Sequence, residues 1–289
     1  MQKLYDAIIG AVVGDALGVP AEFRKRDTFK ISGMTGFGTH NQPAGTWSDD
    51  SSMTLATLES IARCGCISLE DIMENFYEWY ENDEFTPYDD CFSVGGATSR
   101  AIERYMLGTA PLECGGSGER DNGNGALMRL LPVSMLFPDR AVEVACLTHA
   151  HEISRTACLI YTNIVTLLLH GENPDNAVKK CFSGIAIPEG LKPLFERIPD
   201  IGSLTRDEIK SSGFVVDTLE ASLWCLVNGR DYRDVVLTAV NLGDDTDTTA
   251  CVAGGLAGLC LGNVPQEWVN AIPKHDWIRE LCFEIPDPS

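Results

Sequence analysis

Apolar residues recur at steps of three and four positions along most of the chain, which is the period of a helix with one buried face. Near the N-terminus, residues 4–13 follow this pattern and predict a helix that ends at Gly14. Further segments with the same period are 53–62, 72–80, 97–107, 141–147, 153–169, 214–227 and 232–241. The alternation of a half-buried strand is nearly absent. The pattern therefore predicts an all-α fold.

Glycine and proline gather between the predicted helices, and the longest loops are expected at 24–47 and 108–126. The second loop is too rich in glycine for a helix, and it is longer than a loop that only connects two helices usually is. Residues 170–212 read as a peripheral segment with short helices of its own. Because no strong repeat or low-complexity linker interrupts the chain, we expect one domain over residues 1–289.

Composition narrows the classes of partner. The chain has 42 acidic and 22 basic residues and a formal net charge of −20, a field that repels phosphate backbones and acidic membrane surfaces. We therefore expect neither binding in a nucleic-acid groove nor membrane association. A small anionic ligand stays possible where a cation or a local dipole meets it.

Cysteine usage and the N-terminus indicate the compartment. The eleven cysteines are scattered and form no CxxC pair, which favours reduced thiols and a cytoplasmic protein. The N-terminal segment lacks the basic region and cleavage site of a signal peptide. No run approaches the roughly 18 apolar residues of a membrane helix.

The densest polar cluster is in NLGDDTDTTACVAGG, residues 241–255, which places Asp244, Asp245 and Asp247 directly before a run of small apolar residues. Helix capping explains one or two of these aspartates, but not all three beside two threonines. Oxygen ligands at this density suit Mg²⁺ or Mn²⁺. Small residues in the following helix would let it pack closely and hold the carboxylates in place.

A second cluster has the same form. GTWSDDSSMT, residues 45–54, places Ser48, Asp49 and Asp50 before a predicted helix. Either cluster alone is commonly a helix cap. Because two occur in one chain, a shared site for two metal ions becomes the better interpretation.

Three further motifs each have a purely structural and a functional interpretation. Glu22 follows a turn, and its carboxylate is either exposed to solvent or held by this loop over the metal site. Residues 121–132, DNGNGALMRLLP, form either a plain turn or a phosphate-binding loop before a helix. In THAHE, residues 148–152, the spacing is not that of a zinc helix, so contact of His149 with a phosphate or ribose is preferred.

The order of these motifs is distinctive: GDALG with Glu22, TWSDDSSM, GGAT with Arg100, GNGALMR, THAHE, and NLGDDTDTTACVAGGLAG. Over residues 5–262 this resembles the ADP-ribosylglycohydrolase family, which includes ADP-ribosylarginine hydrolases. The resemblance implies an all-α fold around two Mg²⁺ or Mn²⁺ ions. The metal ligands that it implies are Ser48, Asp49, Asp50, Asp245, Asp247 and Thr248.

The resemblance also implies the other parts of the site. Glu22 matches a flexible glutamate of the family, and Gly123, Asn124 and Gly125 match its diphosphate loop. His149 matches the histidine of the family's THxx motif. Ser93 stands where many relatives carry an aspartate that faces the substrate, so the linkage that is cut is in question. Asp244 is an extra residue where relatives often have glycine.

The expected reaction is hydrolysis of the bond between C1″ of ADP-ribose and a side chain of a modified protein, or a small ADP-ribose conjugate. Asp245 or Asp50 would accept the proton, and Glu22 would position the substrate or gate the site. Arginine is the favoured acceptor, and serine-linked or O-acetyl-ADP-ribose is the alternative. A non-catalytic ADP-ribose binder and a metal-dependent phosphohydrolase are the rivals from other classes; the latter would release AMP or phosphate instead of ADP-ribose.

Overall fold

The structure, a computed structural model, describes residues 1–285. Most of these residues are helical, and β-structure in that range is confined to isolated bridges. The all-α prediction is confirmed. The α-helices of the described residues are α1 Gln2–Gly18, α2 Asp49–Cys64, α3 Leu69–Asn82, α4 Gly96–Met106, α5 Pro111–Cys114, α6 Leu131–Leu136, α7 Ala141–Ala145, α8 Glu152–Leu169, α9 Pro174–Lys179, α10 Lys192–Phe195, α11 Val215–Asn228, α12 Tyr232–Val240, α13 Thr246–Leu261, α14 Gln266–Val269 and α15 His275–Glu284. Short 3₁₀ helices lie at Val19–Ala21, Gly38–His40, Pro138–Arg140, Glu189–Leu191, Ile198–Ser203 and Arg206–Glu208.

Helices α1 and α13 form the centre of the core and pack with their backbones in contact. A Cβ atom on Gly14 would lie 2.1 Å from the carbonyl oxygen of Ala250, and one on Gly258 would lie 2.1 Å from that of Asp6. Glycine is therefore required on both helices, because any side chain there would separate them. The close packing expected of the helix that follows the aspartates of residues 244–247 is what the structure shows.

The predicted end of the first helix at Gly14 is wrong, since α1 continues to Gly18. Gly14 and Gly18 do not break the helix; they admit α13. A Cβ atom on Gly18 would lie 2.3 Å from the Cα atom of Asp247. The C-terminal turn of α1 therefore lies directly against the acidic start of α13.

The segment Gln2–Ala21 is long and apolar enough, by length and composition, to cross a membrane. The expectation that no run approaches the length of a membrane helix is therefore wrong. In the structure 89% of its apolar window is buried. Burial among α13, α12, α15 and α2 accounts for its apolar character as that of a core helix.

The other helices surround this pair. α11 and α12 pack on α13, α2 packs on α3, and α6 packs on α8. In α3 one face is buried through Ile72, Phe76 and Trp79, as its period predicts. Residues 170–212 carry the expected short helices. Helices α14 and α15 were not predicted from the sequence, and α5 lies inside the segment 108–126 that was wrongly expected to be a loop throughout.

Candidate active site

The two acidic clusters meet in space although 198 positions separate Asp50 from Thr248. The hydroxyl of Thr248 donates to Asp50 Oδ2 at 3.3 Å, which joins the start of α13 to the start of α2. Ser48 also caps α2, since its Oγ accepts from the amide of Asp50. Asp245 occupies the N-cap position of α13 without a side-chain capping bond. Capping thus accounts for Ser48 but leaves Asp245 without that role.

Asp15 was not among the predicted site residues, yet it anchors the cluster at the start of α2. It lies in α1 with no exposed surface and accepts hydrogen bonds from the hydroxyls of Ser48 at 2.9 Å and Ser51 at 2.6 Å, and from both of their amides. Burial raises the pKa of Asp15 to about 6. The signal in the sequence was an acidic residue that interrupts the apolar run after Asp6.

The buried carboxylates repel each other. Burial raises the pKa of Asp49, Asp50 and Asp247 well above the usual aspartate value, and the neighbouring carboxylates raise it further. Burial also raises the pKa of Asp245. Asp244, in contrast, is exposed and lies outside the cluster.

Several of these oxygens have no partner. Within residues 1–285, Asp50 Oδ1, Asp245 Oδ1 and Asp247 Oδ2 are buried and accept no hydrogen bond. Carboxylate oxygens of Asp15, Asp50 and Asp247 lie within 4.8 Å of one another. Buried anionic oxygens need compensation, and hard divalent cations prefer such ligands. The residues present therefore fit a metal centre.

Glu22 is buried rather than solvated. Its Oε2 accepts from the hydroxyl of Ser93 at 3.0 Å and contacts Nε2 of His40. Side-chain ligand atoms of Glu22, His40 and Asp247 also lie within 4.8 Å of one another, so Glu22 lies beside the clustered aspartates. His40 had no signal in the sequence, because its loop meets Glu22 only in the folded chain.

Beside these carboxylates lies a cavity of about 770 Å³. One part of its lining is acidic, through Glu22, Asp49 and Asp245. The other part offers cations, glycines and an imidazole: Arg100, Arg120, Gly123, Gly125 and His149. The cavity can therefore accept a ligand that has an anionic group near the arginines and a cationic group near the carboxylates.

The glycine-rich loop approaches His149 closely. A Cβ atom on Gly125 would lie 2.9 Å from Cε1 of His149 and 3.0 Å from Oγ1 of Thr98, so glycine is needed there. Asn124 faces the metal centre, donating to Asp245 Oδ2 at 2.8 Å. The expectation that a helix starts directly after this loop is wrong: α6 begins only at Leu131, and turns precede it.

The two histidines of THAHE have separate environments. His151 caps α8 through Nδ1, which accepts from the amide of Ile153. His149 is buried, burial lowers its pKa to about 3, and its Nδ1 lies 2.8 Å from the hydroxyl of Thr148. Neither belongs to a candidate metal cluster of the described residues.

A sequence model of the ADP-ribosylglycohydrolase family matches residues 1–287. The chain belongs to this family. ADP-ribosylarginine hydrolase Tri1 of Serratia proteamaculans is 31% identical, over 99% of this chain and 79% of the relative. ADP-ribosyl-dinitrogen reductase glycohydrolase of Rhodospirillum rubrum is also 31% identical, over 92% of this chain and 88% of the relative.

Among solved structures, one described as an ADP-ribosylglycohydrolase-related protein complex superposes with a TM-score of 0.83 at 29% identity. The match covers 98% of this chain and 96% of the solved chain. The predicted family, the fold, and an enzyme that hydrolyses the glycosidic bond of ADP-ribosylated proteins are confirmed.

Proposed function

We propose that this ADP-ribosylglycohydrolase cleaves the bond between C1″ of ADP-ribose and the guanidinium group of a modified arginine. Two divalent cations, Mg²⁺ or Mn²⁺, would assist. Free ADP-ribose and an unmodified arginine are the products. Relatives named as ADP-ribosylarginine hydrolases at about 30% identity support this choice of acceptor.

The observation that carries the proposal is that the cavity lining includes both carboxylates and arginines. ADP-ribosylarginine joins an anionic diphosphate to a cationic guanidinium. Arg100, Arg120 and the glycine loop suit the diphosphate, and Glu22, which is not among the proposed metal ligands, suits the cation. A serine ether or an acetyl ester carries no cation that would complement the acidic part.

The proposed metal ligands are Ser48, Asp49, Asp50, Asp245, Asp247 and Thr248. The partnerless oxygens of Asp50, Asp245 and Asp247 support this assignment. When bound, the cations would hold the distal ribose hydroxyls and lower the pKa of water. Their charge also offsets the repulsion among the carboxylates and reverses the local sign of a protein with net charge −20.

The side chains of the protein supply the remaining chemistry. Asp245 is the proposed base, because it lines the cavity and Asn124 holds its carboxylate in place by donating to Oδ2. Asp50 is the alternative base. Positive charge that develops at C1″ would be stabilised by these carboxylates. His149 and the backbone of Gly123 and Gly125 would bind the diphosphate.

Ser93 and Glu22 are proposed to face the acceptor together. The Ser93 hydroxyl donates to Glu22 and so fixes the direction of that carboxylate. Glu22 can then supply the negative charge that many relatives place at the position of Ser93. We also propose a cytoplasmic location, because all eleven cysteines are free thiols in the structure.

The test is release of ADP-ribose from arginine-modified and serine-modified protein, with Mg²⁺, with Mn²⁺ and with EDTA. We expect metal-dependent release from the arginine substrate, lost by at least about 100-fold in Asp245→Asn. Release from the serine substrate alone would contradict the acceptor assignment. AMP or phosphate as the product would indicate a phosphohydrolase, and tight ADP-ribose binding without release from either substrate would indicate a binder.

A further inference from the structure

Arg129 is a wholly buried arginine with unusual surroundings. Its guanidinium lies 4.7 Å from the centre of the Phe76 ring, and Nη2 donates to the Val144 carbonyl and, at 2.8 Å, to the hydroxyl of Thr148. In the described chain its Nε and Nη1 have no hydrogen-bond partner, and no salt bridge reaches it. A buried cation without a carboxylate is costly, which calls for a reason other than packing.

Thr148 links this cation to His149. Its Oγ1, also fully buried, lies 2.8 Å from Nδ1 of His149. A hydroxyl has one hydrogen and two lone pairs, and one lone pair is engaged by Arg129. If Nδ1 donated to the other, the hydroxyl hydrogen would be buried without an acceptor. The favourable arrangement has Thr148 donating to Nδ1, and the adjacent cation strengthens that donor.

The position of the ring proton matters because the ring is neutral. Burial and the charge of Arg129 lower the pKa of His149 to about 3, so at neutral pH the ring carries one proton. His149 lines the cavity, and Cβ atoms built on Gly123 and Gly125 would each lie 3.5 Å from its Nε2. At that place an Nε2 hydrogen attracts an anionic oxygen, whereas a lone pair repels it.

We propose that Arg129 and Thr148 are positioning residues that fix the Nε2–H tautomer of His149, so that the ring donates to the diphosphate of ADP-ribose. The identity of the ligand rests on the proposed function. The pair acts through His149 and does not touch the ligand.

The tautomer can be measured directly by NMR of protein labelled with ¹⁵N-histidine, with His149→Gln assigning the signals. We expect wild type to carry the proton on Nε2. Thr148→Val and Arg129→Met should populate the Nδ1–H form, and Thr148→Ser should restore the wild-type signal because it keeps the hydroxyl. Thr162→Val is the matched control, since Thr162 is a buried threonine bonded to Ser134 away from the cavity.

The dissociation constant for ADP-ribose, measured by calorimetry in Mg²⁺ buffer, should rise about tenfold in Thr148→Val, the size of one hydrogen bond. Thr148→Ser and Thr162→Val should bind like wild type. If Arg129→Met does not fold, Thr148→Val decides alone. A wild-type ring protonated on Nδ1, or a Thr148→Val protein with unchanged tautomer and affinity, would overturn the inference.

The two proposals fail separately. If wild type binds ADP-ribose with the expected tautomer but releases none from arginine-modified protein, the proposed function fails and the inference stands. If wild type releases ADP-ribose while Thr148→Val keeps the wild-type tautomer and affinity, the inference fails alone.

Discussion

The two acidic clusters look alike in the sequence but are held in place by different means. The cluster at the start of α2 is fixed by side-chain hydrogen bonds, since Asp15 accepts from Ser48 and Ser51. The cluster at the start of α13 is fixed by helix packing, since Gly14 and Gly18 bring α1 against α13. The proposed metal centre thus depends on a polar anchor at one side and on backbone contact at the other.

The packing of α13 is most severely tested by Gly14→Ala. In an ordinary helix this change stabilises, because alanine has the higher helix propensity. Here the added Cβ would lie 2.1 Å from the Ala250 carbonyl oxygen, so we expect a loss of about 3 kcal/mol or more in the free energy of unfolding. Denaturant unfolding measures it.

Gly190→Ala is the matched control, since nothing lies within 4 Å of its added Cβ and its stability should be nearly unchanged. Equal stability of the two variants would show that α13 is not held by this contact.

The pH dependence of stability tests the polar anchor. The pKa of Asp15 is about 6 in the folded protein, against 3.8 for an aspartate in the unfolded chain, so the folded state binds the proton more strongly. Without metal, in EDTA, the free energy of unfolding should therefore fall as pH rises from about 4 to about 6, by an amount on the order of 3 kcal/mol for this group.

Saturating Mg²⁺ should reduce or reverse this slope, because it binds the ionised carboxylates. Thermal unfolding in EDTA across the range provides the measurement, with Asp15→Asn expected to show a shallower slope. A stability that rises with pH in EDTA would argue against buried, mutually repelling carboxylates.

Asp15→Asn should also weaken metal binding. The amide cannot accept from all of the donors on Ser48 and Ser51, so the start of α2 loses its anchor. Residues that orient metal ligands typically contribute 10–100-fold to affinity, and we expect a loss in that range. Titration calorimetry with Mn²⁺ tests this. Wild-type affinity in a folded Asp15→Asn protein would remove Asp15 from the account.

Asn124→Ala is the corresponding change at the other cluster and should have the smallest effect. It removes the donor to Asp245 Oδ2 but leaves the packing of α13 intact. We expect roughly tenfold slower ADP-ribose release with little change in Mn²⁺ affinity. A loss of metal affinity as large as that of Asp15→Asn would show that both clusters depend on polar anchors.

How much the sequence predicted follows from the range of the interactions. Helical period and dense oxygen clusters are local, so the all-α fold and both acidic segments could be read directly. The roles of Gly14 and Gly18 depend on α13, more than 200 positions away, and appeared locally as helix breakers. Asp15 and His40 gain their partners only when distant segments meet.

The glycine loop illustrates the same limit. The sequence indicated a turn that admits a ligand, and the structure places Gly125 against His149. The helix start expected beside it lies further along, because Ala126–Arg129 form turns whose side chains enter the core. Arg129 lies within the motif of residues 121–132, but only its burial and its hydrogen bond to Thr148 reveal a role.

The central claim is that two clusters from opposite ends of the chain form one two-metal centre. The most direct test is an anomalous difference map from crystals grown with Mn²⁺. The account predicts two peaks, coordinated jointly by oxygens of Asp49 or Asp50 and of Asp245 or Asp247. No peak at this site, or peaks coordinated by one cluster alone, would contradict it.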